Sequence, residues 1–597
     1  MRVFKNLGWF FKLEKKSYII GLLMLVLVAL MELVPPQVIG RVIDQITTET
    51  LTSNTLILFG VMLVFVAILT YIFRFFWRIM IFGASNRLGR TLRERLFKKY
   101  SLMSPAFFAK RRTGDLMAHA TNDINAVQMT AGAGILTIAD SVITGGAVLI
   151  TMALTVSPKL TLIAMIPLPF MVILTSWYGS ILSRLFRVAQ AAFSSLNDKT
   201  QESIAGIKVT KTFGYEDEDL KDFTHLSDDV VKKNLKVAKI DALFDPTITA
   251  IIAISYFLSI FFGARMVVAD EITLGQLVTF TTYLGMMVWP LLALGWFFNL
   301  VERGKASYDR IEEIMNTKSD IGTSVTSDAV PSGDITFNVA EFSFPGEEEV
   351  SLRDIHFTLK EGQTLGIVGP TGSGKSSIIR LLLREFDTDA DNTVAVNGVD
   401  IKQVDIKNLR QLFGYVPQDN FLFSTTIRNN IAFTNPDINI EKVYRAADLS
   451  YIHQDITAFP AGYDTIVGER GVSLSGGQKQ RISIARALIE NPEVLILDDS
   501  LSAVDAETET AILNNIEQNR RGKTNIITAH RMSAVRGADL ILVMKDGRII
   551  ERGNHDSLTA AKGWYYETFK AQSLRQSLTK DLDETLEGGG ADDDGCN

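Results

Sequence analysis

The chain has 597 residues, of which 47% are hydrophobic and 21% are charged, and its formal net charge is −7. This length corresponds to roughly three to four domains of about 150 residues, and the apolar bias argues against a wholly soluble, disordered or fibrous protein. The acidic balance gives no global basic field for nucleic acid. The single cysteine, Cys596, excludes an intrachain disulfide and a cysteine-based metal site.

Long apolar runs fill the first half of the chain, and crossing a bilayer takes about 20 such residues. Four runs contain no charged residue, and two others each carry one acid, Glu32 or Asp140. The six predicted spans are 18–40, 55–73, 129–156, 160–182, 246–264 and 272–301. Because no comparable run follows Val301, the second half is predicted to be water-soluble.

Basic residues predict the orientation of these spans. Lysine and arginine are concentrated in 1–16 and in the connection after the second span, so both segments are expected to face the cytoplasm. An even number of spans returns the soluble half to the cytoplasm, which predicts a multi-pass plasma-membrane protein. A cleaved signal peptide is not expected, because no small-residue cleavage pattern follows the first apolar run. The cytoplasmic connections far exceed the roughly 2 to 8 residues of ordinary helix connections, and we expect them to be helices that continue out of the bilayer.

Two acids inside the spans are candidates for function, because charge is costly in a bilayer. Glu32 and Asp140 are therefore candidates to attract cationic compounds, and the alternative for each is an interfacial position or a hydrogen bond between helices. The sixth span offers a soft aromatic surface that suits apolar ligands, although helix packing or lipid contact explains the same residues. They are Tyr283, Met286, Met287, Trp289, Trp296, Phe297 and Phe298.

A strand, a glycine-rich loop and a helix follow one another from residue 364, which is the context of a phosphate-binding loop. Glycines allow backbone N–H groups to close around phosphate oxygens, Lys375 adds positive charge, and the Ser376 hydroxyl is a ligand for Mg²⁺. The predicted nucleotide-binding residues are Gly369, Pro370, Thr371, Gly372, Ser373, Gly374, Lys375, Ser376 and Ser377. Farther along, a buried apolar run ends in Asp498, the expected partner of Ser376 in holding the metal.

The run Leu-Ser-Gly-Gly-Gln at 474–478 resembles the signature sequence of ATP-binding cassette (ABC) proteins. Its predicted ATP-binding residues are Ser475, Gly476, Gly477 and Gln478, which form a second anion cradle at a helix N-terminus. Other motifs of the family stand in order: a Q-loop at Gln418, an X-loop at 468–471, a D-loop at 500–505 and a switch histidine at His530. The resemblance implies that Gln418 reaches Mg²⁺ or the attacking water, that His530 senses the γ-phosphate, and that Phe344 replaces an adenine-stacking tyrosine.

The first half resembles exporter-type ABC transporters, with 112–124 similar to their first intracellular loop and 206–219 to their second. The implied fold is a multidomain membrane protein of type IV, in which a six-helix transmembrane domain with long cytoplasmic extensions precedes an α/β P-loop cassette. Coupling helices are expected at the tips of both loops. Since a signature completes an ATP site on the opposite chain, the resemblance implies a half-transporter that acts as a dimer. The predicted segments are an amphipathic segment at 1–16, the transmembrane domain at 17–318, a linker at 319–333, the nucleotide-binding domain at 334–572 and a disordered acidic tail at 573–597.

One departure from the family pattern is informative. Asp499 stands where the family has the glutamate that polarises the attacking water. Aspartate is shorter by roughly 1.5 Å, and a misplacement of about 1 Å can cost on the order of 10²-fold in rate. We therefore predict that this chain's own site binds MgATP and hydrolyses it poorly, unless a small backbone shift restores Asp499 as a base.

The intact signature and the short acid together resemble one subunit of heterodimeric multidrug exporters, whose partner carries the glutamate. The resemblance implies an ATP-driven exporter of hydrophobic drugs or other amphipathic compounds. The alternatives are a lipid or peptide exporter, and a regulatory, nucleotide-holding subunit without net transport. The predicted partners are a second half-transporter, the lipid bilayer and hydrophobic small molecules, with no nucleic acid.

Overall fold

The computed structural model describes residues 2–321, 332–347, 349–388, 390–391, 393–468 and 474–575. The chain divides into two compact units. The first combines the described residues up to Ser101 with Thr113–Thr317, and the second combines Leu102–Arg112 with the described residues from Lys318 onward. Of the predicted linker only 319–321 and 332–333 are described, and of the predicted tail only 573–575, which continue a helical segment from 564.

The described residues of the first unit form helices that are joined by short turns and loops. Its helices, with α6 of the second unit included for order, are α1 (Arg2–Asn6), α2 (Gly8–Leu13), α3 (Lys15–Glu32), α4 (Val34–Thr47), α5 (Ser53–Ser101), α6 (Pro105–Ala109), α7 (Thr113–Ala118), α8 (Ile124–Met129), α9 (Ile135–Thr155), α10 (Pro158–Met165), α11 (Leu168–Ala205), α12 (Ile207–Phe213), α13 (Glu216–Asp241), α14 (Phe244–Val268) and α15 (Leu274–Asn316).

Consecutive helices join into six stretches that are long and apolar enough to cross a membrane, which confirms the predicted spans. They are Lys15–Thr47, Ser53–Ser101, Thr113–Thr155, Pro158–Ala205, Glu216–Val268 and Leu274–Asn316. Helix α5 alone has 49 residues. At about 1.5 Å per residue it is about 70 Å long, more than twice the roughly 30 Å hydrocarbon core. The helices therefore continue well beyond the bilayer, as predicted.

Small residues bring the first and sixth stretches together. A Cβ atom on Gly40 of α4 would lie 2.0 Å from Thr279 Oγ1, and one on Gly275 of α15 would lie 2.0 Å from the Gly40 carbonyl oxygen. The same region is fixed by Asp44, whose carboxylate accepts from the Gly275 N–H and from the Thr273 hydroxyl, both at 2.8 Å. The packing of these helices thus depends on the absence of side-chain carbons at two positions.

An ion pair between Asp123 and Arg310 joins the third stretch to the sixth. Both residues lie outside the predicted spans. Asp123 is buried and accepts hydrogen bonds from Arg310 of α15 and from His119. Burial alone raises the pKa of Asp123, but the hydrogen bonds from Arg310, His119 and Ser307 outweigh it and lower the pKa to about 2. The carboxylate therefore stays ionised, and it connects the predicted first intracellular loop to the sixth helix.

The second unit contains two sheets. Its strands are β1 (Ile335–Phe342), β2 (Leu352–Leu359), β3 (Thr364–Val368), β4 (Val394–Val396), β5 (Val399–Asp400), β6 (Phe413–Val416), β7 (Val494–Asp498), β8 (Thr524–Ala529), β9 (Leu540–Lys545) and β10 (Arg548–Gly553). An antiparallel sheet has the order β2-β1-β4-β5, and a mostly parallel sheet has the order β10-β9-β3-β8-β7-β6. The remaining helices are α16 (Lys375–Leu382), α17 (Ile406–Gln411), α18 (Ile427–Ile431), α19 (Ile440–Leu449), α20 (His453–Ala458), α21 (Gly476–Leu488), α22 (Ala506–Asn519) and α23 (His555–Ala561).

The parallel sheet is buried on both faces, as its continuous apolar strands require. On β7, Ile496 faces one core together with Ile378 of α16, while Leu495 and Leu497 face a second core with Ile484 of α21. The strands β3, β7 and β8 are parallel neighbours, so their carboxyl ends lie along one edge of the sheet. Ligand sites in such sheets form at this edge.

The contact between α4 and α15 gives a stability prediction. We expect Gly275→Ala to lower the unfolding temperature of the protein in nanodiscs by several degrees, because the new methyl group overpacks the helices at a cost of about 1–3 kcal/mol. Gly60→Ala is the matched control, since a Cβ atom there would meet no described atom within 4 Å other than those of its chain neighbours and its own helix backbone. Equal unfolding temperatures for the two variants would contradict this account of the packing.

Candidate functional site

The phosphate loop begins where β3 ends and leads directly into α16. Gly369, Gly372 and Gly374 have φ angles of 152°, 79° and 96°, which side-chain-bearing residues rarely adopt. A Cβ atom on Gly374 would lie 2.8 Å from Leu352 Cδ2, whereas one on Gly372 would meet no atom within 4 Å. The loop is therefore packed against the protein at one end and open at Gly372. No side chain caps α16, so its N-terminal N–H groups face the loop.

Two buried polar side chains of this loop, those of Lys375 and Ser373, could donate hydrogen bonds to a bound anion. The Lys375 ammonium donates to the carbonyl oxygens of Gly369 and Pro370 at 2.9 and 3.0 Å. Burial lowers the pKa of Lys375, and the nearby Asp499 and Asp498 oppose this effect. The Ser373 hydroxyl is only 2% exposed and has no hydrogen-bond partner among the described residues. The loop thus fits a phosphate chain, which would accept from both groups.

Asp498 lies at the carboxyl end of β7 and is buried. Its Oδ1 atom accepts from Ser376 Oγ at 3.1 Å and from Thr528 Oγ1 at 2.7 Å. The Tyr415 hydroxyl lies 3.4 Å from the other carboxylate oxygen. A hydroxyl and a carboxylate at this distance are the hard oxygen ligands that Mg²⁺ prefers. The predicted metal residues Ser376 and Asp498 are therefore together, and their donor atoms fit the ion.

Asp499 follows β7 with its backbone fixed in the left-handed region, at φ 46°. Its N–H donates to the carbonyl oxygen and to the hydroxyl of Thr528, at 3.1 and 2.9 Å. Its own carbonyl accepts from Ser502 Oγ at 3.0 Å. Gln418 Nε2 lies 3.4 Å from Asp499 Oδ2. The structure thus brings Gln418 to Asp499, and the backbone of Asp499 is held on both sides.

His530 comes directly after β8 and lines a cavity of about 90 Å³ together with Asp499 and Thr528. Gln572 holds its loop: the side-chain amide donates to the His530 carbonyl at 2.8 Å and accepts from the Met532 N–H at 2.9 Å. Arg531, which follows His530 in the chain, donates to the carboxylate of the buried Glu509 at 2.7 Å. Sequence reasoning missed Thr528, Glu509 and Gln572. Of these three, only Thr528 could have been found from the sequence, because it lies two residues before the switch histidine.

The signature residues form the N-terminus of α21. Ser475 and Gln478 make a reciprocal capping box, with the Gln478 N–H donating to Ser475 Oγ at 3.2 Å and the Ser475 N–H donating to Gln478 Oε1 at 3.1 Å. A Cβ atom on Gly477 would lie 3.1 Å from the Ala503 carbonyl oxygen, so the D-loop packs against this turn. The Ala503 N–H also donates to Gln480 Oε1 at 3.0 Å. In the described part of the chain, no hydrogen bond or ion pair joins this turn to the phosphate loop.

Two further predicted features differ in how far the structure describes them. Phe344 is half-buried and packs edge-on against Phe342 and Phe386, with ring centroids 5.1 and 5.0 Å apart. The Arg380 guanidinium lies 5.7 Å from the Phe344 ring centroid, which leaves an aromatic and cationic surface near α16. The predicted X-loop begins at Gly468, but 469–471 lie outside the described residues.

The membrane candidates Glu32 and Asp140 line one cavity of about 550 Å³ in the first unit. Glu32 forms an ion pair with Arg74, a residue that sequence reasoning missed because it lies just beyond the second predicted span. Asp140 accepts from Thr144 Oγ1 at 2.9 Å. Of the predicted aromatic surface of the sixth span, Met286 and Trp289 line the same cavity. Met287 and Phe297 are buried, whereas Trp296 and Phe298 are exposed. Tyr283 is also buried, and its hydroxyl donates to the Leu33 carbonyl.

The sequence and the fold match known proteins along nearly the whole chain. Two family descriptions match: "ABC transporter transmembrane region" over residues 18–291 and "ABC transporter" over 352–502. Multidrug resistance-like ATP-binding protein MdlA of Escherichia coli (strain K12) is 45% identical, over 97% of this chain and 98% of the relative. A probable multidrug resistance ABC transporter ATP-binding/permease protein of Bacillus subtilis (strain 168), YheI, is 45% identical over 96% and 98%.

A solved structure of a bacterial Atm1-family ABC exporter with ATP bound has a TM-score of 0.79, 26% identity and coverage of 93% of this chain and 99% of that chain. The phosphate loop, the acid at the end of β7 and the signature turn therefore stand in the fold that this family uses to bind ATP. The chain belongs to the ABC exporters, multi-pass plasma-membrane proteins in which six transmembrane helices precede a cytoplasmic cassette that hydrolyses ATP.

Proposed function

We propose that the chain is one subunit of a heterodimeric exporter that uses ATP to move hydrophobic drugs or other amphipathic compounds out of the cell. In this proposal its own phosphate loop forms a site that binds MgATP and hydrolyses it poorly. Its signature completes the hydrolytic site of a partner that carries a glutamate after its strand-ending aspartate. The observation that carries the proposal is the fixed backbone beneath the short side chain of Asp499.

A backbone shift is the way in which a shorter acid could still reach the attacking water. The hydrogen bonds that hold Asp499 oppose such a shift, because its N–H binds Thr528 and its carbonyl binds Ser502. Breaking a hydrogen bond of this kind costs about 0.5–1.5 kcal/mol. The carboxylate is therefore expected to stay about one methylene short of the position that a glutamate would reach. Its Oδ2 atom lies 3.4 Å from Gln418 Nε2.

The residues of the chain's own site suffice to hold nucleotide. We infer that the Lys375 ammonium exchanges the carbonyls of Gly369 and Pro370 for phosphate oxygens when ATP binds. Ser376 and Asp498 would hold Mg²⁺, which neutralises charge on the phosphates when it is bound. Phe344 would stack on the adenine, and His530 would contact the γ-phosphate. These roles provide binding and orientation. Activation of water is left to Asp499, whose side chain is one methylene shorter than that of glutamate.

The signature turn supports the dimeric part of the proposal. Ser475 and Gln478 are ordered by their capping box, and the helix N-terminus is exposed and ready to receive an anion. The contact of Gly477 with Ala503 places this turn against the D-loop, a few residues after Asp499. The D-loop thus lies between the chain's own site and the turn offered to the partner. This arrangement would allow closure at one site to affect the other.

Two other functions are compatible with the same cassette. The exporter could move lipid or peptide, and the chain could be a regulatory subunit that holds nucleotide without net transport. The names of the relatives, multidrug resistance-like and probable multidrug resistance proteins, favour drug export. Accumulation against a gradient that requires ATP hydrolysis separates transport from the regulatory alternative.

The hydroxyl of Thr528 gives a prediction for metal-dependent binding. Thr528→Val removes the donor to Asp498 and should weaken MgATP binding roughly tenfold, since a hydrogen bond to a charged group contributes about 1.5–3 kcal/mol. Metal-free ATP should lose less affinity, because the effect acts through the metal ligand. Thr510→Val is the control, because among the described residues Thr510 Oγ1 bonds only to the Ala506 carbonyl of its own helix, at 2.8 Å. Unchanged MgATP affinity in equilibrium binding would refute the proposed metal site.

Lengthening the acid tests the degenerate site directly. In protein purified without a partner, Asp499→Glu should raise steady-state ATP hydrolysis at least tenfold, because correct placement of the base is worth on the order of 10²-fold. Asp354→Glu makes the same change at an exposed residue with φ 54° and should have no effect. Robust turnover by the unmodified chain alone would show that Asp499 is an adequate base.

Transport itself can be measured in inside-out vesicles that contain the chain and its partner. Ethidium should accumulate with ATP and should not accumulate with a non-hydrolysable analogue. Gly477→Asp should abolish accumulation, because the new side chain crowds the Ala503 carbonyl and its negative charge repels phosphate. Absence of ATP-dependent accumulation of ethidium and of other amphipathic dyes would favour the regulatory alternative.

A further inference from the structure

We propose that the cavity of the membrane unit binds a zwitterionic amphiphile, with its anionic group at Arg78 and Trp77 and its cationic group at Asp140. This inference rests on the proposed export function and names the class of compound that the membrane unit takes. The cavity lies among α3, α5, α9 and α15 and has a volume of about 550 Å³. That volume is within the roughly 300–1,000 Å³ typical of small-molecule sites.

The cavity is lined by equal numbers of acidic and basic side chains, and one acid and one base already form an ion pair with each other. Two carboxylates and two guanidinium groups line it, those of Glu32, Asp140, Arg74 and Arg78. Glu32 and Arg74 form an ion pair with each other. In the described part of the chain, Asp140 and Arg78 have no ion-pair partner within 4.0 Å. One acid and one base therefore remain available in the same cavity.

A ligand with a single charge leaves one of these groups unpaired. A cation satisfies Asp140 and leaves Arg78 alone, and an anion does the reverse. Charged side chains in or next to a membrane-spanning segment are costly unless they are compensated. A ligand that carries both charges compensates both side chains. The pairing of Glu32 with Arg74 also removes one of the acids that the sequence suggested for attracting purely cationic compounds.

Neighbouring donors define the anionic end. The indole Nε1 of Trp77 is buried, the residue being only 7% exposed, and it has no hydrogen-bond partner among the described residues. The Arg78 guanidinium lies over the same side chain, 5.5 Å from the centroid of the Trp77 ring. An indole N–H and a guanidinium together suit an oxyanion such as a phosphate or carboxylate.

The remaining lining supports a cation and an apolar chain. Thr144 donates to Asp140 Oδ1 at 2.9 Å, which leaves the other carboxylate oxygen for an ammonium. Trp289 presents an exposed aromatic ring to the same space, and such rings attract cations and hydrocarbon alike. The apolar side chains of the cavity are Leu25, Val28, Leu136, Met286 and Pro290.

The test compares four amphiphiles that share a decyl chain and differ in charge. Decylphosphocholine is the zwitterion, decyl phosphate the anion, decyltrimethylammonium the cation and decyl maltoside the neutral reference. Their dissociation constants are measured by calorimetry, below the micellar range, on the full-length exporter in nucleotide-free nanodiscs. We expect the zwitterion to bind at least tenfold more tightly than decyl maltoside.

Variants assign each charge to its side chain. Arg78→Gln should weaken the zwitterion and the anion roughly tenfold and leave the cation unchanged. Asp140→Asn should weaken the zwitterion and the cation and leave the anion unchanged. Trp77→Phe should weaken the zwitterion and the anion, because it removes the N–H and keeps an aromatic ring. Arg265→Gln and Asp270→Asn, at exposed residues outside the cavity, are the matched controls.

Equal affinity for all four compounds, or a preference for a singly charged compound that Arg78→Gln and Asp140→Asn do not alter, would overturn the proposal. Because no nucleotide is present, this outcome is independent of which ATP site hydrolyses. Nanodiscs of phosphatidylethanolamine and of phosphatidylglycerol distinguish the source of the zwitterion. Weaker apparent binding of decylphosphocholine in the former identifies a lipid headgroup as occupant, and equal binding identifies a free compound.

Discussion

The hydroxyl of Thr528 donates to Asp498 at 2.7 Å and accepts from the backbone N–H of Asp499 at 2.9 Å. One side chain on β8 thereby sets the positions of both acids at the end of β7. The parallel register that pairs Asp498 with Thr528 makes this possible, and it depends on apolar burial on both faces of the sheet. The metal ligand, the candidate base and the loop of the switch histidine consequently share one edge. A change in this register would disperse all three.

In the proposed function, this constraint is the reason why a difference of one methylene would matter. In a flexible loop, a shorter acid could move forward to reach its water. Here the backbone of Asp499 is held from two sides, so side-chain length translates directly into the position of the carboxylate. In the proposed account, binding of nucleotide does not require that position, because Lys375 and Ser376 lie on α16 and Asp498 is held separately by Ser376 and Thr528. The proposal therefore allows one cassette to bind ATP without hydrolysing it efficiently.

Much of this arrangement could be predicted from the sequence, because the motifs are local. The phosphate loop, Asp498 and the signature turn each lie on a short contiguous segment whose glycines and flanking apolar runs reveal its geometry. The six spans were readable because the bilayer imposes a minimum length of apolar chain. The partners of Asp499 were not readable, since Thr528 lies on the neighbouring strand β8 and a single sequence does not reveal the register between strands. Arg74 was missed for a related reason: it lies just beyond a predicted span, so its pairing with Glu32 appears only when α3 and α5 pack together.

The central claim is that the two ATP sites of the dimer differ, and the most direct measurement is vanadate trapping of a photoreactive, radiolabelled ATP analogue in the assembled exporter. The label can be assigned to either chain after cross-linking and separation. The account predicts trapped diphosphate on the partner chain, at the site that this chain's Ser475 and Gly477 complete, and unhydrolysed triphosphate at Lys375. Equal amounts of trapped diphosphate on both chains would contradict it.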